Sequence, residues 1–484
     1  MVEETFKARS MKQSFDWKLV MIYLLLVLIG FVNIYASIHS EGPASIFDFN
    51  FRCGKQFVWI LTALVLAAVI LFLVNPQFWE SASLPMYLFV LVLLVVVIFV
   101  SKDVKGSHSW FEFGPVKFQP AEISKITTSL LLATLMSQTN FKITRLKDFL
   151  MAAIIIGIPM LVILAESETG SALVYVGFIF VMYREGFSGW WIFSIAMAIL
   201  LFILTLTASP YVSLLVLIGI LIVASAIGSG KIGSLFWINL GVLLLFCLLP
   251  WILGKTVDPE SFFGKIKPVY ILIGICICAV PYLLFRGYKE RKRHISLATL
   301  GLVAGIALIF STDFIFNNIL QDHQRKRIEV LLGMKEDPTG VGYNVNQSMI
   351  AIGSGGFSGK GFLNGTQTTY GFVPEQSTDF IFCTVGEEWG FIGCLIVILL
   401  YVFLIWRIIV DAEKSREAFT RIYGYCVASC IFMHLFINIG MTIGLMPVIG
   451  IPLPLLSYGG SSLWAFTVLI FIFIALYRQE KKYY

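Results

Sequence analysis

Carboxylates cluster where the chain passes from a polar loop into an apolar segment. The stretch "GTQTTYGFVPEQSTDFIF" (365–382) makes this change with Asp379 at the junction. Glu375 precedes Asp379, and Glu387 and Glu388 follow about two helical turns later. Acidic residues inside a membrane segment are functional candidates, and several near one another indicate a general base, a cation site, or both.

The same aspartate also has a purely structural interpretation. Ser377 or Thr378 could cap a helix that contains Asp379 in its first turn, where the helix dipole favours a negative charge. The residues taken alone leave both interpretations open.

A second candidate segment is "KGSHSWFEFGPVKFQPAEISK" (105–125). Pro120 permits a helix start, and Glu122 and Lys125 then share one helix face at i, i+3. Because either charge costs about 2.5–3.5 kcal/mol inside a bilayer, the pair is either a mutually paired, partly solvated helix end or the wall of a polar cavity.

Two other segments combine polar groups with broken helices. "AESETGSAL" (165–173) places Glu166 and Glu168 in a turn, which could be simply a solvated hairpin. In "NIGMTIGLMPVIGIPLPLLSYGGSSL" (438–463), prolines and glycines interrupt an apolar run. Irregular backbone at this depth must be buried in protein or line a wet cavity.

The glycine-rich loop near residue 360 does not match a nucleotide-binding loop. The phosphate-binding pattern is G-x-x-x-x-G-K-[ST], but Gly361 follows Lys360 and Ser354 takes the place of the first glycine. These glycines instead allow close packing of the backbone against a bulky ligand or a helix.

The overall composition predicts that these residues lie in an all-α polytopic integral membrane protein. The chain is 58% hydrophobic and 13% charged, with a mean hydropathy of +0.87. The net charge of +6 suits loops that face anionic lipid and gives no reason to expect nucleic-acid binding. The charged start of the chain is expected to be a cytoplasmic tail and not a signal peptide.

Apolar runs predict about 14 membrane-spanning helices, since about 20 helical residues cross the hydrocarbon layer. They lie near residues 18–37, 56–75, 84–100, 121–138, 149–165, 170–184, 189–207, 210–228, 233–253, 269–286, 295–313, 380–406, 420–445 and 461–478.

Lys and Arg in short loops predict the orientation. With a cytoplasmic N-terminus and 14 spans, the basic segments on the cytoplasmic side are 140–148, 285–294, 406–421 and the tail "RQEKKYY" (478–484). Because successive loops alternate between the two sides, the same arrangement places three loops outside, namely 101–120, 314–379 and 446–460. The outer loops are therefore the ones that carry the unusual chemistry.

The motifs in these loops resemble the SEDS family (shape, elongation, division and sporulation). The pattern runs from Asn438 through Pro447 and Gly450 to "LLSYGGSS" (455–462). "GTQT" and "PEQSTDFIF" are similar to the elongation members more than to the division or sporulation members. "FQPAEISK" (118–125) resembles the family's Q-P-[SA]-E-x-x-K.

The sequence departs from the family pattern in three places. Ser109 precedes Trp110 where the family has Arg, and the family's Q-P-D-x-G turn appears as the run 166–170, "ESETG". The family also has about ten spans, so 209–313 is expected to be an insertion of four helices. The predicted segments are a tail (1–17), a first core part (18–208), the insertion (209–313), a large outer loop (314–379), a second core part (380–478) and a tail (479–484).

The resemblance implies a peptidoglycan glycosyltransferase that polymerises lipid II during cell elongation. The acceptor's 4-hydroxyl would attack the anomeric carbon of an undecaprenyl-diphosphate-linked glycan, with inversion. Asp379 matches the family's catalytic aspartate and is expected to be the general base. Glu122 and Lys125 match residues needed for activity and are expected on the cavity wall, with Lys125 able to meet a diphosphate.

The resemblance also implies a divalent cation, Mg²⁺ or Mn²⁺, with Asp379 and Glu375 as candidate ligands, and a class B penicillin-binding protein as partner. The location implied is the bacterial cytoplasmic membrane, with the protein crossing it many times among its lipids and the active site on the outer face. The other expected substrate-binding residues are Trp110, Gln119, Lys360, Glu375, Gln376, Ser457, Gly459, Gly460 and Ser461.

Two other functions stay open at this stage. A lipid II flippase would need alternating access and a polar path across the bilayer. The acidic and hydroxyl groups instead cluster on one predicted face, which favours an enzyme. A non-catalytic scaffold of the elongation complex is the second alternative.

Overall fold

Helices form nearly all of the regular structure. The computed structural model describes residues 16–39, 42, 45–101, 109–113, 116–229, 237, 240–241, 243–246, 248, 268–289, 291, 293–319, 325, 329, 332, 334 and 342–483. Its helices are α1 (Trp17–Ser37), α2 (Arg52–Phe72), α3 (Gln77–Ser81), α4 (Ser83–Val100), α5 (Pro120–Met136), α6 (Leu146–Ala165), α7 (Thr169–Val174), α8 (Phe178–Arg184), α9 (Gly189–Thr207), α10 (Pro210–Ser229), α11 (Pro268–Lys289), α12 (Arg293–Asn318), α13 (Tyr343–Ser354), α14 (Thr366–Thr369), α15 (Ile381–Lys414), α16 (Ala418–Thr442) and α17 (Gly460–Tyr483).

Two short elements complete the description. A 3₁₀ turn, Tyr175–Gly177, joins α7 to α8. An antiparallel hairpin pairs β1 (Phe111–Phe113) with β2 (Val116–Phe118), with Glu112 opposite Lys117. The hairpin is followed by Gln119, the N-cap of α5, and the helix then begins at Pro120.

The chain divides into two compact units. The first contains Met1–Phe187 and Asp337–Tyr484, and the second contains Ser188–Glu336. Every segment that the sequence marked for chemistry belongs to the first unit.

Helix α16 lies at the centre of the first unit. It packs against α5, α8, α15 and α17, and most of its residues are buried. Two buried tyrosines of the surrounding core have paired hydroxyls: Tyr423 donates to Leu469 O at 3.1 Å, and the hydroxyls of Tyr23 and Thr467 lie 2.8 Å apart. Such pairing is needed because an unpaired polar group in an apolar core is costly.

The two ends of the first unit differ in their charges. At one end, three ion pairs join the ends of α1, α8, α15 and α16: Arg407–Asp16 at 2.6 Å, Arg184–Glu413 at 2.7 Å and Arg421–Glu185 at 3.1 Å. The segment with Asp379 lies at the other end, where α15 begins. Within the first unit, the ion-paired helix ends and the candidate site therefore lie at opposite ends of the helices.

Helix α15 contains a kink where the glycine-rich loop packs against it. Gly390 has φ +63° and ψ −158° inside the helix. A Cβ at Gly390 would lie 2.3 Å from Gly359 N, and one at Gly359 would lie 2.1 Å from Glu388 O. The loop glycines therefore serve close packing against a helix, which was one of the two uses expected of them.

Eleven described helices are long and apolar enough to span a membrane, so the predicted count of 14 is not confirmed. Three predicted spans are missing from the eleven. The span predicted at 121–138 is α5, which has 17 residues, and the one at 170–184 is broken by the 3₁₀ turn. Most of 233–253 lies outside the described residues.

The second unit has a small apolar core of its own. The described residues at its centre come from α9, α10, α11 and α12, and they are Leu201, Leu214, Leu217, Leu272, Cys276, Leu302 and Ile309. The proposed insertion at 209–313 and the other domain bounds stay predictions.

Candidate functional site

Asp379 lies in the turn before α15, not inside the first helical turn. The helix begins at Ile381, its N-cap is Phe380, and the N-cap side chain makes no capping hydrogen bond. The expectation that Ser377 or Thr378 caps a helix around Asp379 is therefore wrong. The Asp379 side chain is half-buried.

Three hydrogen bonds tie the backbone of this turn to α16 and to the segment before α17. Asn438 Nδ2 donates to Asp379 O at 2.8 Å, Ser457 Oγ donates to Thr378 O at 2.6 Å, and Tyr458 N donates to Ser377 O at 2.8 Å. Asn438 also donates to Ile451 O at 2.7 Å. These contacts fix the position of the carboxylate through its own backbone.

The ends of α1 and α2 hold the same turn from the other side. Gln376 Nε2 donates to Ser37 O, and Arg52 Nη1 donates to Ser377 Oγ at 2.6 Å. The Asp379 carboxylate itself lies beside Gly450. A Cβ added at Gly450 would be 3.5 Å from Asp379 Oδ2. Gly450 has φ +74°, which favours glycine at this position.

Glu375 begins the same tight turn. Its φ is +51°, a left-handed conformation that is unusual for a side-chain-bearing residue. Its carbonyl accepts from Thr378 N and Phe380 N, each at 3.2 Å. The turn therefore places the carboxylates of Glu375 and Asp379 in one short loop.

The described residues contain no group of three or more His, Cys, Asp and Glu side chains arranged to hold a metal ion. Magnesium commonly binds through one or two carboxylates together with substrate phosphates, without a complete protein cage. Glu375 and Asp379, in one turn, supply a donor set of that kind.

The predicted "SYGGSS" residues lie next to this turn. Ser457 is buried and bonded to Thr378 O, while Gly459, Gly460 and Ser461 are half-buried at the start of α17. Gly459 N donates to Gln56 Oε1 at 3.3 Å. The structure thus brings together predicted residues from both loops, namely Glu375, Gln376, Asp379, Ser457, Gly459, Gly460 and Ser461.

Glu122 and Lys125 form a buried ion pair rather than a partly solvated helix end. Lys125 Nζ lies 2.8 Å from Glu122 Oε1 and 2.8 Å from His434 Nε2. Both residues are only 2% exposed. The partly solvated interpretation is therefore wrong, and their role on a cavity wall stays a prediction.

A hydrogen bond joins the segment before α5 to the turn at 166–170 after α6. Ser109 Oγ donates to Glu168 Oε1 at 2.6 Å. Trp110 is half-buried and Gln119 is buried at the N-cap of α5. Glu166 is also buried, so the solvated-hairpin interpretation is wrong for it.

Neither carboxylate oxygen of Glu166 has a hydrogen-bond partner within the described part of the chain. Burial, with a further contribution from the charge of Glu168, raises the pKa of Glu166 to about 8.

Lys360 contacts a buried carboxylate on α15 and a threonine of its own loop. Its Nζ donates to Glu387 Oε1 at 2.7 Å and to Thr366 Oγ1 at 2.8 Å. Glu387 also accepts from Gln367 N and Thr368 N, each at 2.8 Å. Glu387 and Lys360 thus anchor the glycine-rich loop to α15.

Two residues of these clusters were not identified from the sequence. His434 lies inside an apolar run, where a single histidine gives no spacing signal. Arg52 stands at the start of an ordinary-looking helix, and only the structure brings it to Ser377.

The cell cycle protein family FtsW/RodA/SpoVE matches this chain over residues 16–212 and 275–482. The stretch between the matches, 213–274, lies inside the predicted insertion.

Similar proteins cover most of the chain. The peptidoglycan glycosyltransferase RodA of Treponema pallidum (strain Nichols) is 32% identical over 455 residues, which are 93% of this chain and 94% of that protein. The peptidoglycan glycosyltransferase MrdB of Escherichia coli (strain K12) is 34% identical over 275 residues, which are 53% of this chain and 74% of that protein.

A solved structure has the same fold. It concerns the structural coordination of polymerization and crosslinking by a peptidoglycan synthase complex, and one of its chains superposes with a TM-score of 0.58 at 23% identity. The match covers 96% of this chain and 98% of that chain.

Proposed function

This chain belongs to the FtsW/RodA/SpoVE family, and we propose that it polymerises lipid II into glycan strands with Asp379 as the general base. It is a multi-pass membrane protein and a peptidoglycan glycosyltransferase. The observation that carries the proposal is the half-buried Asp379 carboxylate, held at the end of the helices away from the paired basic residues.

The position of Asp379 suits a reaction between two lipid-linked sugars. Their polyprenyl tails stay among the apolar helix faces, and their head groups stay in water. A base that meets the acceptor hydroxyl must therefore lie where the helices end. Asp379 lies just before α15, and the hydrogen bond from Asn438 to its backbone carbonyl holds it at this end of the helix.

In the proposed reaction, the acceptor's 4-hydroxyl oxygen attacks the anomeric carbon of the donor glycan. Its proton moves to a carboxylate oxygen of Asp379. The bond between the anomeric carbon and the diphosphate oxygen breaks, and the electron pair leaves with the diphosphate. A positioned base of this kind contributes roughly a 10²–10⁴-fold rate increase.

A divalent cation, Mg²⁺ or Mn²⁺, fits the donor set of this turn. Glu375 and Asp379 would hold it together with oxygens of the substrate diphosphate. When bound, such an ion supplies positive charge to the departing diphosphate.

The proposal includes the cellular setting. The site end faces outward from the bacterial cytoplasmic membrane, and the end with the ion pairs faces the cytoplasm, in agreement with the bias of Lys and Arg toward cytoplasmic loops. A class B penicillin-binding protein is the proposed partner that cross-links the strands. The similarity to a chain of a peptidoglycan synthase complex supports this setting at the level of fold.

The test uses the purified full chain with its class B partner and fluorescent lipid II. We expect glycan polymer from the wild type and none from Asp379→Asn. Translocation of lipid II without polymer would indicate a flippase. Polymerisation by the partner alone, equal with and without this chain, would indicate a scaffold.

A further inference from the structure

Arg52 brings a positive charge next to the Asp379 turn. Its guanidinium Nη1 donates to the Ser377 hydroxyl at 2.6 Å, and its Cζ lies 5.8 Å from the centre of the Tyr458 ring. Among the residues that the structure describes, no carboxylate makes an ion pair with it. Arg52 is half-buried, so part of the side chain faces solvent.

The other two cations considered for this end are already paired. Lys125 is buried with Glu122 and His434. Lys360 pairs with Glu387, whose side chain is fully buried. Arg52 is thus the cation of the three whose charge can still neutralise a ligand.

The contacts of Arg52 place it within the same turn as the proposed base. Ser377 is two residues before Asp379 and is fully buried. Tyr458 N donates to Ser377 O at 2.8 Å, so the hydroxyl and ring that contact Arg52 belong to segments that are bonded to each other. Arg52 therefore has a fixed position relative to Asp379.

The backbone around Arg52 adds to its positive potential. Arg52 is the first residue of α2, and α17 begins beside it, as the bond from Gly459 N to Gln56 Oε1 shows. A Cβ at Gly460 would lie 2.8 Å from the ring of Trp59 in α2. The positive ends of two helix dipoles therefore lie side by side at this point.

We propose that Arg52 binds the diphosphate of the polyprenyl-diphosphate donor. The guanidinium presents several N–H donors in a plane, which matches the oxygens of a phosphate group. As the bond between the anomeric carbon and the diphosphate oxygen breaks, the electron pair stays on that oxygen, and Arg52 stabilises the resulting negative charge. This inference rests on the proposed glycosyltransferase reaction and assigns a binding residue that its motifs do not include.

The test measures binding of undecaprenyl diphosphate, with undecaprenyl monophosphate for comparison, to the full chain in nanodiscs. Loss of one charged hydrogen-bonding group predicts about tenfold to 100-fold weaker diphosphate binding by Arg52→Gln. Arg145→Gln, an exposed arginine at the other end of the helices, is the matched control and should bind as the wild type does.

Ser377→Ala distinguishes binding from mere support of the turn. It removes the bond between Arg52 and the turn but keeps the guanidinium, so it should weaken binding by less than about fivefold. The proposal is overturned if Arg52→Gln weakens diphosphate binding by less than about fivefold, or if Ser377→Ala weakens it as much as Arg52→Gln does.

Two controls keep the result interpretable. If Arg52→Gln does not fold, Arg52→Lys carries the test, because lysine keeps the charge and loses the planar donor set. Weaker diphosphate binding by Arg52→Lys then supports the proposal, and wild-type binding overturns it. A wild type that binds the diphosphate but makes no polymer would refute the proposed function without touching the Arg52 site.

Discussion

Ser109 Oγ donates a 2.6 Å hydrogen bond to Glu168 Oε1, and this contact joins two positions at which the sequence departs from its family motifs. The family pattern has Arg at the first position and Asp at the second. Here the longer carboxylate reaches a short, uncharged donor. Residue 109 therefore brings no positive charge to the turn, and the charge of Glu168 adds to the effect of burial on Glu166.

Glu166→Gln is expected to stabilise the protein above about pH 5 and to flatten its stability–pH profile. The pKa of Glu166 is about 8 in the folded protein and near 4.5 in the unfolded chain. Between these values the unfolded chain has lost the proton that the folded protein keeps, so the unfolding free energy of the wild type falls as pH rises. The glutamine amide of the variant does not titrate in this range, so this part of the pH dependence is lost.

Thermal unfolding in detergent between pH 5 and 8.5 measures this effect. Glu413→Gln, which changes an exposed carboxylate at the other end, should keep the wild-type slope. Parallel profiles for the wild type and Glu166→Gln would show that Glu166 ionises normally in the folded protein.

Glu387→Gln is expected to release the glycine-rich loop from α15. The carboxylate accepts from Lys360 Nζ and from the backbone N–H groups of Gln367 and Thr368. Loss of a buried, charged acceptor costs about 1.5–3 kcal/mol. Limited proteolysis should show faster cleavage between residues 355 and 372, while Glu413→Gln leaves the rate unchanged. Equal cleavage rates would mean that the loop is anchored elsewhere.

Gly390→Ala is expected to destabilise the protein strongly, because the added Cβ would meet Gly359 N at 2.3 Å and the backbone φ is +63°. Gly353→Ala is the matched control. Its Cβ would meet no atom within 4 Å, and it lies in α13, so it should stabilise by roughly 0.5–1 kcal/mol. Comparable melting temperatures for the two variants would argue against the kink in α15.

Lys125→Met is expected to reduce folded yield, because it leaves the buried Glu122 carboxylate without its cation. Removal of one partner of a buried pair costs about 3–5 kcal/mol. The double variant Glu122→Gln/Lys125→Met removes both charges and should recover most of the yield, measured by size-exclusion chromatography of the detergent extract. If the double variant folds no better than Lys125→Met, the unpaired Glu122 carboxylate is not the cause of the reduced yield.

Patterns of residue type predicted the architecture better than they predicted the environment of individual side chains. Apolar runs identified the long helices because the hydrocarbon layer dictates both their length and composition. They did not reveal that α15 continues to Lys414, since the charged residues at its end form ion pairs with neighbouring helices.

Burial at the site depended on contacts between distant segments. The sequence left Glu122 and Lys125 as either a partly solvated helix end or a cavity wall, and His434, more than 300 positions away, completes a buried cluster with them. Arg52 approaches Ser377 across a similar separation. No local sequence pattern predicts such contacts between distant residues. The motif around Asp379 is contiguous in the sequence and could therefore be recognised from the sequence alone.

The rate of glycosyl transfer at saturating lipid II, measured for the wild type and Asp379→Asn in complex with the class B partner, tests the central claim most directly. If the Asp379 carboxylate removes the proton of the acceptor hydroxyl, the rate falls at least about 100-fold while lipid II binding stays near the wild-type value. A rate within about twofold of the wild type, from a variant that binds lipid II normally, would contradict the assignment of Asp379 as the base.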